Sequence, residues 1–513
     1  MNKPRQVAIV GAGPGGLAAA MLLAANGCEV TVYEKQPFVG GRSSRLELGE
    51  FRFDRGATFL MMPHKWEELF RLAGRRLDAY VSLKPLHPMY RLQFGSLQLN
   101  ATTDPAAMQA EIERHFPGEG EGYARFMREE ARKFARIAPL LERPFESWRD
   151  YVASDVMRAL PVLHATDTVH GRLSRYFRDE RLKTAFSFQA KYLGMSPWEC
   201  PGTFTILSYL EHRYGLWHPI GGINRLCEAM ARVTAEWGGR IVTGTGVRQV
   251  LVRDGRAVGL LLENGEQAEA DDVVIGADFA QAASRLFAPG TLRKYAPEQL
   301  ERKQYSCSTF MLYLGLDRTV DLPHHTVAFA ADYRSNVEEI TESQTLSDDP
   351  SIYIHNPSAI DPTLAPPGKS ALLVLVPVPN AGASIDWAAE SGRFRRRVLA
   401  RLSAIPELAG LESSIVREHV VTPWDWRDQL DVYRGATFNL AHSLDQMMSL
   451  RPHNRFEEVD NCWLVGGGTH PGSGLPTILE SAKISSAMLL GAGKHALRDW
   501  NGWVHGAARE VTL

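Results

Sequence analysis

An α/β fold is predicted: a parallel sheet with a nucleotide-type turn after its first strand, interrupted twice by a region of α+β character. Three observations predict it. The β-branched run Gln6–Val10, QVAIV, leads directly into GAGPGG. A second glycine-rich stretch, VGGGTHPGSGLPTILESAK, stands near the other end at 465–483. Between them, Asp254-Gly255 and Asn264-Gly265 separate apolar runs that lead back to an apolar strand at 271–277.

The first strand is short and apolar, as suits a strand buried on both faces of a parallel sheet. Gly11, Gly13 and Gly16 follow in GxGxxG spacing, with Ala12 and Gly15 among them. Residues 17–26 read as a helix, Gly27 closes it, and Glu29–Tyr33 is a second strand. Gly11 permits the tight turn, Gly13 lets a pyrophosphate approach, and Gly16 lets helix and strand pack closely. The free N–H groups at the helix start favour phosphate. Glu34, 23 residues after Gly11, can accept from ribose hydroxyls. The glycines also break the uncharged run after Lys3 and Arg5, which otherwise resembles a signal peptide or a membrane span. Lys35 follows the acid, and GGRSSR brings Gly41 and Arg42, where the guanidinium suits either a second phosphate oxygen or solvent.

Further along, 51–60 (FRFDRGATFL) alternates until Asp54 and Gly56 break it. Residues 87–100 read as a hairpin turning at Gly95-Ser96. Asp104 then N-caps a helix with Pro105 in its first turn. Residues 223–237 carry a helical apolar pattern, Arg240–Val242 reads as a strand, and the two Xaa-Gly turns make a β-meander. Residues 310–316 and 371–378 read as strands of a second sheet, and 361–368 as a Pro-rich loop.

Composition bounds the function. The chain has 513 residues, too many for one ordinary core, and its charge is 57 − 59 = −2, which gives no support to nucleic-acid binding. Five scattered cysteines without a CxxC pair indicate neither a disulfide framework nor a zinc site, so no metal is expected and a reduced, cytoplasmic compartment is. Along 123–141, Phe126, Met127, Phe134, Ile137 and Leu141 recur at helical spacing, while Arg125, Arg128, Arg132, Lys133 and Arg136 take other faces. That pattern suits a core helix with a solvated basic face, or a helix lying on an anionic membrane.

GxGxxG, the terminal glutamate, GGR and FDRGAT together resemble the FAD-binding amine-oxidase-like flavoproteins. Within them, VGGGTHPGSGLPTILESAK, KYLGMSPWECPG (191–202) and YLEHRYGLWHPIGGINRL (209–226) are similar to the bacterial phytoene and diapophytoene desaturases. The resemblance implies a Rossmann-like FAD-binding domain with an inserted α+β substrate domain. The FAD-binding part is expected at 1–84, 214–304 and 456–513, and the substrate-binding, membrane-facing part at 85–213 and 305–455. It further implies that the strand holding Val247 contacts the adenine. The strand at 463–465, with Gly467 and Gly468 after it, would meet the pyrophosphate and ribityl chain. Leu475, Pro476 and Thr477 would begin a helix aimed at the flavin ring.

The implied function is desaturation of a linear carotenoid precursor by hydride transfer to flavin. A long apolar polyene, a membrane surface and a quinone or oxygen as final acceptor are the implied partners, and peripheral attachment to the cytoplasmic membrane the implied location. A terminal-methyl oxidase shares the FAD motifs; an amine oxidase fits less well, and a carotenoid or flavin binder without turnover remains the non-enzymatic reading. His470, Glu480 and Asp425 are open as proton acceptors, and none is assigned.

Overall fold

The computed structural model describes residues 3–491, so the expected region 456–513 lies outside the described residues from 492 onward. Five strands form one parallel sheet in the order Arg240–Val242, Glu29–Tyr33, Gln6–Val10, Asp272–Ile275, Cys462–Leu464. Gln6 lies opposite Glu29 on one side of the first strand, and Val7 opposite Asp272 on the other. Strands from three distant parts of the chain therefore share one sheet. The last strand begins one residue before the predicted 463–465.

The helix Pro14–Ala25 starts earlier than predicted, because Pro14 fits the first turn after Gly13, where its missing N–H costs no bond. Leu17, Ala18, Ala19, Ala20, Met21, Leu22 and Leu23 are all buried. A helix apolar on every face belongs in a core. It packs between Asn224–Glu236 and Leu475–Leu489. Leu17, Leu22, Leu226, Met230, Leu479 and Ala482 share one apolar cluster there.

The meander is as expected: Val247–Arg253, Arg256–Leu262 and Gln267–Glu269 pair antiparallel. A second sheet has seven strands in the order Ile415–Val421, Ser308–Leu316, Ser370–Val378, Ile352–His355, His325–Ala328, Tyr90–Phe94, Leu97–Ala101. Its longest strands are buried on both faces. Phe310, Leu312 and Leu314 pack with Val398 and Leu399 of the helix Trp387–Ser403, while Met311 and Tyr313 join the cluster on the opposite face. This alternation is the two-residue period of a strand. Asp104 caps its helix as predicted, accepting from the Ala106 and Ala107 N–H groups.

The basic helix is corrected in one respect. In Gly120–Leu141 the side chains of Tyr123, Phe126 and Ile137 belong to the core, and Arg125, Arg128, Arg132 and Arg136 are exposed. Lys133, expected on the solvated face, is buried. Its ammonium lies 2.7 Å from Glu130 and donates to the Thr205 hydroxyl at 2.6 Å. A buried cation needs such partners. The apolar face of this helix is turned inward: Tyr123 and Phe126 pack in the core, and Phe134 and Ile137 also line a cavity.

Gly16 sits where helix and first strand touch. A Cβ there would stand 2.1 Å from the Gly11 carbonyl oxygen. Gly16→Ala is therefore expected to lower stability by about 1–3 kcal/mol, read as a drop in the thermal unfolding midpoint. An unchanged midpoint would show that this packing is looser than described.

Candidate functional site

A cavity of about 960 Å³ runs between the two sheets. One end is walled by backbone. Gly11, with φ +92°, turns the chain so that the N–H groups opening the helix Pro14–Ala25 face this end. A Cβ on Gly13 would find only the Gly276 carbonyl within 4 Å, at 3.8 Å, and one on Gly466 would find nothing. The space beside both residues is open. Gly474 precedes Leu475–Leu489 without a side-chain cap, so a second helix N-terminus with free donors borders the cavity.

Thirteen of the fifteen residues singled out from the sequence line this cavity: Gly11, Gly13, Gly15, Glu34, Lys35, Gly41, Arg42, Val247, Gly467, Gly468, Leu475, Pro476 and Thr477. Ala12 and Gly16 lie behind the wall. The Ala12 N–H donates to Glu34 Oε2 at 2.7 Å, and the Gln36 N–H to Glu34 Oε1 at 2.9 Å. These bonds fix the carboxylate at the end of its strand and leave each oxygen further accepting capacity. Lys35 pairs with Asp431. Arg42 donates to the Thr437 carbonyl at 2.9 Å and lies 3.9 Å from Asp278, so it is held by protein at the cavity wall. Gly468 does a further job: a Cβ there would be 2.5 Å from Phe279 Cβ, so the glycine also makes room for a neighbour.

These residues fit a dinucleotide cofactor. One helix N-terminus offers N–H donors to phosphates and a second faces the rest of the cavity, a fixed carboxylate offers an acceptor to ribose, and missing side chains leave the volume free.

The other end is apolar, with Phe134, Phe188, Phe204, Leu210, Met311 and Phe329 in its wall. Lys191 is half-buried there, its ammonium 4.8 Å above the Tyr333 ring, and burial pushes it down to about 8. Of the three open proton acceptors, His470 and Glu480 line the cavity and Asp425 does not. His470 Nε2 pairs with the Arg143 carbonyl at 2.9 Å, and burial pushes the imidazole down to about 4. Glu480 is held by Lys65 at 2.9 Å and Lys483 at 3.0 Å. Asp425 caps its own helix, accepting from Thr422 N–H at 2.8 Å. Sequence reading missed Thr58, Tyr353 and Lys191 in the wall. Lys191 opens KYLGMSPWECPG and could have been noticed; Tyr353 lies in a four-residue strand with no motif.

The model of the family described as flavin-containing amine oxidoreductase matches residues 14–490. A 4,4'-diapophytoene desaturase (4,4'-diapolycopene-forming) of Methylomonas sp is 47% identical, over 97% of each chain. An all-trans-zeta-carotene desaturase of Myxococcus xanthus is 39% identical, over 97% of this chain and 95% of its own. A lycopene-forming phytoene desaturase of Pseudescherichia vulneris is 36% identical, over 95% and 99%. Among solved structures, wild-type putrescine oxidase bound to putrescine matches with a TM-score of 0.62 at 16% identity, over 95% of this chain and 99% of that one. An oxidoreductase from Methanosarcina mazei matches with a TM-score of 0.61 at 17% identity, over 93% and 98%. The last two establish a shared fold.

Gly13→Glu places a charged side chain in the open space beside the first helix. The variant is expected to purify without flavin absorbance. Full flavin content would refute the dinucleotide seat.

Proposed function

The chain belongs to the flavin-containing amine oxidoreductase family, and on that premise we propose that it is an FAD-dependent carotenoid desaturase. Its substrate is a linear polyene precursor of the diapophytoene or phytoene type. The observation that carries this reading is the single cavity whose backbone-walled end passes into an apolar end. A dinucleotide with phosphates and a ring system matches the first, and a hydrocarbon without polar handles matches the second. The identity of 47% to a diapophytoene desaturase favours that substrate length.

The FAD-binding part is assembled from 1–84, 214–304 and 456–513, and the substrate part from 85–213 and 305–455. Gly11, Gly13 and Gly15 give the pyrophosphate access to the N-terminus of Pro14–Ala25. Ala12 orients Glu34 toward the ribose, and Gly16 fixes the helix against the sheet. Val247 flanks the adenine. Lys35, Gly41 and Arg42 border the phosphates, and Gly467 and Gly468 the ribityl chain. Leu475, Pro476 and Thr477 present a positive helix end to the ring. The chemistry FAD supplies when bound is two-electron oxidation by hydride acceptance from an allylic carbon. The apolar wall holds the polyene and excludes water.

Among the described residues no helix is long and apolar enough to cross a membrane. The surface nevertheless carries an apolar patch. Six of the eight exposed large hydrophobic side chains fall in two neighbouring segments: Trp148, Val152, Met157 and Leu160, with Leu444 and Leu450. The segments are joined by the Tyr151–Ser449 hydroxyl pair at 3.0 Å and by Met448 packing on Phe145 and Val156. Leu444, Met447 and Met448 also line the cavity. A dissolved polyene would enter from the bilayer here, and the protein attaches peripherally to the cytoplasmic membrane through this patch. A quinone or oxygen would serve as the final electron acceptor.

Two measurements test this reading. Anaerobic addition of diapophytoene to the FAD-loaded protein should bleach the flavin, and the product should have lost two hydrogens per step. Gain of oxygen would indicate methyl oxidation instead, and no bleaching a binder without turnover. The double variant Trp148→Glu, Leu450→Glu should weaken sedimentation with anionic vesicles by about tenfold or more, since burying each side chain contributes about 1.5–3 kcal/mol. Undiminished sedimentation would place the docking surface elsewhere.

A further inference from the structure

A chain of hydrogen bonds leaves the cavity wall and ends at a buried carboxylate. Tyr353 and Thr58 line the cavity, their hydroxyls 2.8 Å apart, and the Tyr353 hydroxyl lies 2.7 Å from His325 Nδ1. His325 Nε2 lies 3.1 Å from His324 Nδ1. His324 Nε2 lies 3.1 Å from His218 Nδ1, and His218 Nε2 lies 2.8 Å from Asp361 Oδ2. All four ring and carboxylate residues beyond Tyr353 are buried, and the Phe59 ring stacks on His325 at 4.3 Å.

One polarity of the chain lets it take up a proton at the cavity end. Asp361 also accepts from the Gly221 and Thr363 N–H groups and the Thr363 hydroxyl, and these bonds with His218 hold its carboxyl well below the usual range. It is therefore an anion, and His218 Nε2 carries the proton facing it. In the polarity that can take up a proton, His218 Nδ1 accepts from His324 Nε2–H, His324 Nδ1 from His325 Nε2–H, and His325 Nδ1 from the tyrosine hydroxyl, turned to it from the Thr58 oxygen that it otherwise faces. In that polarity each imidazole accepts at Nδ1 and donates at Nε2 along the whole length. Burial keeps His324 and His325 neutral by pushing both well below the ordinary value.

Such a chain can invert. We propose that Tyr353, His325, His324 and His218 form a proton relay that takes up the proton released by the substrate in the cavity. The proposal rests on the desaturase reading. In that reaction one allylic carbon surrenders hydride to the cofactor. In the same step the C–H bond on the neighbouring carbon breaks, and its electron pair becomes the new C=C π bond. The freed proton goes to the Tyr353 oxygen as the tyrosine's own proton passes to His325 Nδ1. His325 Nε2–H passes to His324 Nδ1, and His324 Nε2–H to His218 Nδ1. The substrate is oxidised by two electrons and the cofactor reduced by two. The proton ends as an imidazolium at His218, paired with the Asp361 carboxylate, and the Tyr353 hydroxyl now donates to Thr58. In the low-dielectric interior that ion pair makes the far end the favoured resting place for charge.

His218, His324 and His355 also bring ring nitrogens within 4.8 Å of one another, a spacing that invites a metal reading. Both nitrogens of His218 and both of His324 are already engaged in the chain, so neither has a lone pair to offer without breaking it.

Two readouts test the relay. In protein labelled with nitrogen-15 at histidine, without substrate, three imidazoles should show the Nε2–H tautomer with N–H···N couplings linking them in series. Tyr353→Phe should alter the signal of one Nδ1. In anaerobic single-turnover reduction by diapophytoene, Tyr353→Phe and His324→Gln should each slow flavin reduction by about tenfold or more and change the solvent isotope effect, with polyene affinity unchanged. Nδ1–H tautomers, equimolar zinc in the purified protein, or variants that reduce at the wild-type rate would overturn it. A wild type with the coupled histidines that no polyene reduces would instead sink the desaturase reading, and the relay's catalytic role with it.

Discussion

Three backbone segments far apart in the chain have to touch, and the remaining structure depends on that contact. A Cβ on Gly15 would stand 3.2 Å from the Gly466 backbone, and one on Gly276 would stand 2.9 Å from Gly16 Cα. Side chains at these points would push the first turn away from the strands that end at Ile275 and Leu464. Glycine costs conformational entropy wherever it is used. Here the cost is offset by closing a parallel sheet whose strands come from residues 6 to 464. The Gly466 N–H donates to Ser481 Oγ at 2.8 Å, and Ser485 donates to the Leu464 carbonyl at 2.5 Å, so the last helix is tied to the same point. Both helix N-termini at the cavity owe their direction to it.

The second sheet solves a different problem. An apolar substrate supplies almost no directional bonds, so its seat has to be shaped by packing. Strands buried on both faces give that wall rigidity, with one row of side chains toward the helix Trp387–Ser403 and the other toward the opposite cluster. Several buried charged groups are matched by partners. Lys133 with Glu130 and Thr205, Glu480 with Lys65 and Lys483, and the histidine chain anchored on Asp361 are three such cases.

Much of the parallel sheet was legible in the sequence because its signals are local. Gln6–Val10, Glu29–Tyr33 and Arg240–Val242 stand where their β-branched runs and flanking glycines put them. The hairpin turning at Gly95-Ser96 and the cap at Asp104 are local as well. The apolar half of the cavity was not legible. Phe188, Phe329 and Tyr353 come from three separate segments, and no spacing in the chain reports that they face one space. The same holds for the histidine chain, whose members are spread from His218 to His325 and meet only where two different sheets come together. The basic helix misled for a related reason: helical periodicity shows an apolar face and cannot say whether protein or lipid covers it. Lys133 faces inward because Glu130 and Thr205 wait there, which the arginine spacing around it conceals.

The central claim is that the glycine contact builds the cofactor's seat and points its ring at the apolar end. Diffraction from crystals of the FAD-loaded protein tests this most directly. The account predicts pyrophosphate density beside Gly13, and ring density at the N-terminus of Leu475–Leu489 facing Tyr353 and Phe188. A ring lying outside the cavity, or a pyrophosphate remote from Gly13 and Gly466, would contradict it.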